Sequence, residues 1–223
     1  MPDTYILQIN TAFSEASIGI SKNGVLLAES VNPDQYDHAA FLQPAILELC
    51  NTVQISLKDI HAVSVVNGPG SYTGLRVGLS SAKGICYALN IPIICINTLD
   101  WMAFGNLDHE TTLICPMIDA RRSEVFTAVY DKNMVSKIQP IAMVLDERSF
   151  EELLNEYSIA FVGNGAEKWQ AICNHPNAIF PMSMQNAIHL SSLSYNSFLK
   201  EDFADLAYSE PYYIKEFFSG LKA

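Results

Sequence analysis

The sequence predicts a duplicated α/β fold in two lobes, and three observations predict it. Each half of the 223-residue chain opens on three short runs of strand formers and then alternates helical and strand patterns. An Asn-Gly pair separates the second and third runs of the first half, a strong hairpin signal because both turn positions need positive φ. Apolar residues make up 49% of the chain and charged residues 17%, enough apolar content to bury a sizeable core. Each lobe is expected to hold a mixed sheet, antiparallel at its start, with helices packed on it. The boundary is placed near Gly105, giving lobes of residues 1–104 and 105–223.

In chain order, TYILQIN reads as a strand, and ASIGISKNGVLLAESV as a hairpin turning at Asn23-Gly24. YDHAAFLQPAILELCNTV is a helix with Asp37 as N-cap and an apolar stripe of Leu42, Ile46, Leu49 and Val53. Phe41, Ala45 and Leu47 add apolar surface off that stripe, so the helix is expected to be buried on more than one side. Pro44 should kink it or mark its effective start. HAVSVVNG is a strand, TGLRVGLSSAKGICYALN a helix, IPIICINT a strand and LDWMAFGNL a short helix. The second half gives strands TTLICPMIDA, SEVFTAVYD and VSKIQPIAMV, helix RSFEELLNEY, strand IAFVG, helix AEKWQAICN and a last helix NAIHLSSLSYNSFLKE.

Composition excludes several functions. The net charge is −11 with no Lys/Arg cluster, so the chain alone should not bind RNA strongly. The start, MPDTYILQIN, lacks a basic region followed by a long apolar run, and no stretch approaches the roughly 18 apolar residues of a membrane span. A soluble, cytoplasmic protein is expected. Cys50, Cys86, Cys95, Cys115 and Cys173 are scattered and form no CxxC pair, which reads as reduced, buried thiols. The five histidines make no HxxxH or HExxH pair, so no helical metal site of that kind is expected.

The densest signal is a glycine turn between strand and helix, Gly68, Gly70 and Gly74. Glycines permit positive φ and close backbone approach, and a helix N-terminus favours an anion. Gly68, Gly70, Ser71 and Thr73 are therefore candidates to face a nucleotide, and a tight turn with a helix cap explains them equally well. A dinucleotide site is disfavoured: the spacing is GxGxxxG, the motif follows a three-strand meander, and the next strand ends without an acid. A Walker loop is excluded by the missing GK[ST]. In the following helix, Gly74, Gly78 and Ser81 leave a shallow groove, Leu75, Leu79, Ala82, Cys86 and Leu89 form the apolar stripe, and Arg76, Ser80 and Lys83 a polar one. Either the cations simply lie in water, or the small-residue side meets another helix.

NGPGSYTGLRVGLSSAKGICYALNIPIICINTLD resembles the signature of the bacterial TsaB (YeaZ) family, and DHAAFLQPAI, DARRSEVF, GNGAEKW and EPYYIKEF continue the likeness to the end of the chain. The resemblance implies the two-lobed actin/Hsp70/sugar-kinase fold. It implies a non-catalytic subunit in the making of threonylcarbamoyladenosine in tRNA. Such a subunit dimerises and activates a larger paralogue, TsaD, joined by an ATPase, TsaE, and reaches tRNA only through the complex. The catalytic paralogue carries two metal-binding histidines in a pattern like NHLEGH; here Thr98 and Met102 stand in that segment, and neither suits a catalytic hard-metal site. Relatives of this fold that use ATP place an aspartate at the end of the first strand; Asn10 is neutral and would hold Mg²⁺ poorly. Asp119 is expected to cap a turn or pair with Arg121 or Arg122, and Gly163-Asn164-Gly165 to make a strand-to-helix turn, with a vestigial adenine loop as the alternative.

The leading expectation is a scaffold whose surface comprises His38, Phe41, Leu42, Ala45, Gly74, Arg76, Gly78, Ser81 and Lys83, from the helices beginning near Asp37 and Thr73. It has no catalytic or metal residues and requires no cofactor, with a nucleotide at the subunit contact left open. Symmetric self-pairing would use the patch that the paralogue also uses. The alternatives are an ATP-dependent kinase or ATPase of the same fold, and a metallopeptidase. On the leading reading, Gly78→Leu weakens self-association in sedimentation while leaving the monomer largely folded.

Overall fold

A computed structural model describes residues 3–34, 37–183 and 186–215. The last residues of the EPYYIKEF motif, Glu216 and Phe217, lie outside them. The chain divides into two compact units, Met1–Gly105 with Met184–Pro211, and Asn106–Ser183 with Tyr212–Ala223.

In the first unit, β1 (Tyr5–Asn10), β2 (Ala16–Lys22) and β3 (Val25–Asn32) form the expected meander. Asn23 (φ 51°) and Gly24 (φ 82°) both take the positive φ that the hairpin demands. Then come α1 (His38–Thr52), a short 3₁₀ turn (Leu57–Asp59), β4 (Ile60–Gly68), α2 (Tyr72–Leu89), β5 (Ile93–Asn97) and α3 (Thr98–Phe104). The sheet order is β3-β2-β1-β4-β5. The hairpin pairs are antiparallel, and β4 and β5 join β1 in parallel. One face carries Leu7, Ile9, Ile18, Ile20, Val63 and Val65 against Leu42, Ile46 and Leu49 of α1 and Leu79, Ala82 and Cys86 of α2. That is the helical spacing of the sequence meeting the period-two alternation of the strands.

At α1 the Asp37 side chain does not cap as expected, and Pro44 does not mark the start of the helix. Asp37 sits at the N-cap position, yet its carboxylate makes no capping bond; only its carbonyl accepts the N–H of Phe41, at 2.9 Å. The helix also runs unbroken past Pro44, which is exposed. Ala40, whose carbonyl loses its in-helix donor to the proline, is exposed too, so water can satisfy that group.

The second unit repeats the plan. β6 (Leu113–Asp119), β7 (Glu124–Asp131) and β8 (Ser136–Val144) form the meander, followed by α4 (Glu151–Glu156), β9 (Ile159–Val162), α5 (Ala166–Gln170) and β10 (Ala178–Ile179). The order β10-β9-β6-β7-β8, antiparallel along the meander and parallel at β9 and β10, matches the first sheet element for element. β10 has two residues, too short to leave an alternation in the sequence. Phe150, Phe161 and Trp169 meet edge to face in this core, with ring centroids 5.2–5.9 Å apart.

The last helix, α6 (Ala187–Leu199), corrects the expected boundary. It packs on β1, β2, β3 and β5 of the first sheet and so returns to the first unit. The Ser194 hydroxyl donates to Ser64 Oγ at 2.7 Å across that contact, and the Trp101 indole N–H to the Asn186 carbonyl at 3.1 Å. After α6 the chain bridges β5 at Ala204. Small, polar α6 residues on its buried side gave no sequence cue as to which sheet it would cover.

No helix of the described residues is long and apolar enough to cross a membrane. All five cysteines are free; Cys50, Cys86 and Cys115 are buried, and Cys95 and Cys173 half-buried. Burial pushes the thiols of Cys86 and Cys95 up to about 11 and that of Cys115 to about 12. Two units above an ordinary thiol leave about a hundredfold less thiolate at neutral pH. Iodoacetamide at pH 7.5 is therefore expected to label these three cysteines at least about a hundredfold more slowly in the native protein than in urea, read by peptide mass spectrometry.

Candidate functional site

β4 is buried from Ala62 to Val66 between β1 and β5 and delivers the glycine turn to the C-terminal end of the sheet's parallel strands. Gly68 has φ 128°, a conformation that side chains resist. Ser71 caps α2 by accepting the N–H of Gly74 at 3.3 Å, and its own N–H donates to the Ala12 carbonyl at 2.7 Å. The segment just after β1 passes over the start of α2 at very short range. A Cβ on Gly70 would lie 2.4 Å from the Ala12 carbonyl oxygen, one on Gly74 2.1 Å from the Thr11 carbonyl oxygen, and one on Gly78 2.3 Å from Thr11 Oγ1. Thr11 Oγ1 donates to the Gly74 carbonyl at 2.7 Å, closing the contact. The glycines thus have a complete explanation inside the chain, and the tight-turn-and-cap reading accounts for them.

Asn10, 5% exposed, turns its amide inward: Oδ1 accepts the Ala12 N–H at 3.1 Å. Thr98 and Met102 are fully buried in α3. Among the described residues no group of three or more His, Cys, Asp or Glu is placed to hold a metal ion.

In the second unit, Asp119 caps its turn by accepting the Arg121 N–H at 2.6 Å, and its ion-pair partner is Lys168, at 2.6 Å, in place of the expected arginines. Arg121 and Arg122 take positive φ, 69° and 51°, and both are exposed. Lys168 also donates to the Arg122 carbonyl at 2.7 Å, so one ammonium ties α5 to the β6–β7 turn. Asn164 Oδ1 accepts the Asp119 N–H at 2.9 Å. Gly165 lets α5 approach β6, since a Cβ there would lie 3.0 Å from the carbonyl carbons of Met117 and Ile118. Gly163-Asn164-Gly165 is therefore the strand-to-helix turn expected of it.

Most of the nine residues assigned to a docking surface do other work within the chain. Leu42 and Ala45 are core residues. His38 is 5% exposed and donates from Nε2 to the Phe13 carbonyl at 3.2 Å. Gly74 and Gly78 face Thr11. The Lys83 ammonium donates to the carbonyls of Ala207 and Ser209, at 3.1 and 3.0 Å, and holds the segment after α6 against α2. Phe41 and Ser81 are half-buried, and Arg76 is exposed with its guanidinium 4.1 Å from the Tyr72 ring centroid.

What α1 and α2 do present outward is a row that shares only Ser81 with that set. Gln43 of α1 and Ser80, Ser81, Gly84, Ile85 and Ala88 of α2 line a shallow groove. Leu47, 55% exposed, and Tyr87, 82% exposed, lie on the same two helices. Gly84 differs from Gly74 and Gly78: an added Cβ would meet nothing within 4 Å. Sequence reasoning passed over it, although Ser80, Gly84 and Ala88 repeat every four residues and so share a helix face.

Residues 26–212 match the family model described as "TsaD: tRNA N6-adenosine threonylcarbamoyltransferase". The chain is 34% identical over 125 residues to the tRNA threonylcarbamoyladenosine biosynthesis protein TsaB of Bacillus subtilis, an alignment covering 56% of this chain and 54% of that protein. It is 31% identical over 170 residues to the Escherichia coli protein of the same name, covering 74% of this chain and 73% of that one. The chain thus spans about half the length of the first relative and about three quarters of the second. A solved structure, YeaZ from Pseudomonas aeruginosa, superposes with a TM-score of 0.77 at 19% identity, covering 94% of this chain and 99% of that one, which speaks for a shared fold.

Two outcomes follow from this geometry. Gly78→Leu is now expected to destabilise the first unit by about 3 kcal/mol or more, measured by urea denaturation, because the added side chain meets Thr11 and Ile9. At the other turn, the Lys168 ammonium beside Asp119 holds its carboxyl below the ordinary carboxylate range, with the Arg121 N–H adding to the effect. A depressed carboxyl stabilises above its unfolded value and loses that contribution as pH falls through the folded one. The pair is partly exposed, so Asp119→Asn should cost less than about 1 kcal/mol near pH 7, a difference that shrinks as pH falls below the ordinary carboxylate range.

Proposed function

Because the chain belongs to the TsaB family, by its 31% identity to the Escherichia coli TsaB across 74% of its length, we propose that it serves threonylcarbamoyladenosine biosynthesis as a non-catalytic subunit. It binds and activates the larger paralogue TsaD in the cytoplasm, works alongside TsaE, and requires no cofactor of its own. The docking surface is the outward row of α1 and α2 centred on the groove of Gln43, Ser80, Gly84 and Ala88, flanked by Leu47 and Tyr87.

The observation that carries this reading is Gly84. A glycine in an exposed helix interior costs roughly 0.5–1 kcal/mol relative to alanine. Gly70, Gly74, Gly78 and Gly165 are explained by close neighbours within the chain, and Gly84 has none. A partner helix that must approach closely supplies the missing reason. The exposed apolar surface of Leu47 and Tyr87 gives such a contact hydrophobic anchors. A homodimer would pair the same face on both copies, so self-association and TsaD binding compete. To activate TsaD, the subunit must bind the competent state of that protein in preference to others.

Gly84→Leu tests the surface with little strain on the fold, since an added Cβ there meets nothing within 4 Å. The monomer is expected to denature at equal or higher urea, by up to about 1 kcal/mol. Binding to TsaD in sedimentation, and tRNA modification by the reconstituted mixture, are expected to fall tenfold or more. Undiminished association would remove this face from consideration. Modification with each subunit omitted in turn, or turnover of Mg-ATP by the isolated chain, checks the non-catalytic role separately.

A further inference from the structure

The turn between β6 and β7 carries two exposed arginines, Arg121 and Arg122, on backbone with φ 69° and 51°. Left-handed backbone is costly for a residue with a long side chain, and Asn or Gly takes it with little strain. The β2–β3 hairpin meets the same demand with Asn23 and Gly24. Here two successive positions hold arginine instead. Neither guanidinium makes a hydrogen bond, ion pair or ring contact among the described residues, so nothing within them offsets the strain.

The surroundings leave the charge of both arginines standing. Asp119 and Glu124 flank the turn, and each already holds a lysine: Lys168 lies 2.6 Å from Asp119, and Lys215 pairs with Glu124. The Arg121 charge bears on Asp119 only from beyond ion-pair range. Four of the chain's thirteen lysines and arginines thus gather about one turn, against two carboxylates. The turn with its two ion pairs carries a charge of +2, in a chain whose net charge is −11. The other residues of the turn, Ala120 and Ser123, are small and offer no apolar anchor of the kind a protein contact needs. Phosphate contacts need no such anchor, and the planar guanidinium fork matches a phosphate bidentately.

We propose that this turn contacts the phosphate backbone of the tRNA, an inference that rests on the function proposed above. Two arginines on neighbouring residues reach phosphates from one fixed point of the second unit. The rest of the chain is acidic, so the contact is weak alone and counts within a complex whose partners supply most of the positive surface.

Arg121→Asn with Arg122→Gly removes both charges and suits the backbone, so the urea midpoint of the full-length protein is expected to stay or rise. Sedimentation with TsaD is expected to be unchanged. Filter binding of unmodified tRNA to the reconstituted subunits, between about 50 and 200 mM salt, reads the contact. The affinity is expected to fall about three- to tenfold, and the slope of log K against log salt to become shallower by about 1–2. Arg121→Lys with Arg122→Lys keeps the charge and is expected to retain most of the slope. An unchanged slope on removal of both charges overturns the proposal. So does lost association with TsaD, which would assign the turn to a protein contact. If the unaltered chain fails to associate with TsaD, the function proposed above falls and this inference with it; if it associates and the slope is unmoved, this inference falls alone.

Discussion

The first unit depends on one close approach, the backbone of Thr11 and Ala12 lying against Gly70, Gly74 and Gly78. Separations of 2.1–2.4 Å between a notional Cβ and oxygen leave no room for any side chain at these positions. The contact fixes where α2 begins, because the Ala12 carbonyl takes the Ser71 N–H and Thr11 Oγ1 reaches the Gly74 carbonyl. It thereby fixes the rotation of α2 on the sheet. With the glycine row committed to Thr11 and the stripe Leu75, Leu79, Ala82 and Cys86 committed to the core, the row Ser80, Gly84, Ala88 is left at the surface, beside Arg76 and Tyr87.

That allocation separates two uses of small residues on one helix. Gly74 and Gly78 are required by the fold, and substitution there is resisted by backbone and side-chain atoms of the same chain. Gly84 is not required by anything in the chain, and the helix would be more stable without it. That difference is what the proposed docking surface rests on. The same logic bears on Lys83, whose cation is engaged by the carbonyls of Ala207 and Ser209 and so is less open to a partner than its place in the sequence suggests.

The turns after the first strand of each sheet share a division of labour. Asn10 spends its amide oxygen on the Ala12 N–H, and Asp119 spends its carboxylate on the Arg121 N–H and Lys168. Both side chains are organising their own loops. The topology repeats from one sheet to the other, and the residues at these turns, not the topology, decide what the chain can do.

Local chemistry was legible in the sequence. Strand alternation, the Asn23-Gly24 turn, the apolar stripes of α1 and α2 and the repeat of the whole pattern all follow from short-range periodicity and backbone preference, which each segment carries with it. The family was legible as well, from motifs spread along the chain. Tertiary structure alone decided which glycines face inward, that Lys168 and not an arginine pairs with Asp119, and that α6 returns to the first sheet. Each of these depends on atoms brought together from positions tens to more than a hundred residues apart, and periodicity within a segment says which of its faces is apolar but not what that face, or its neighbour, will meet.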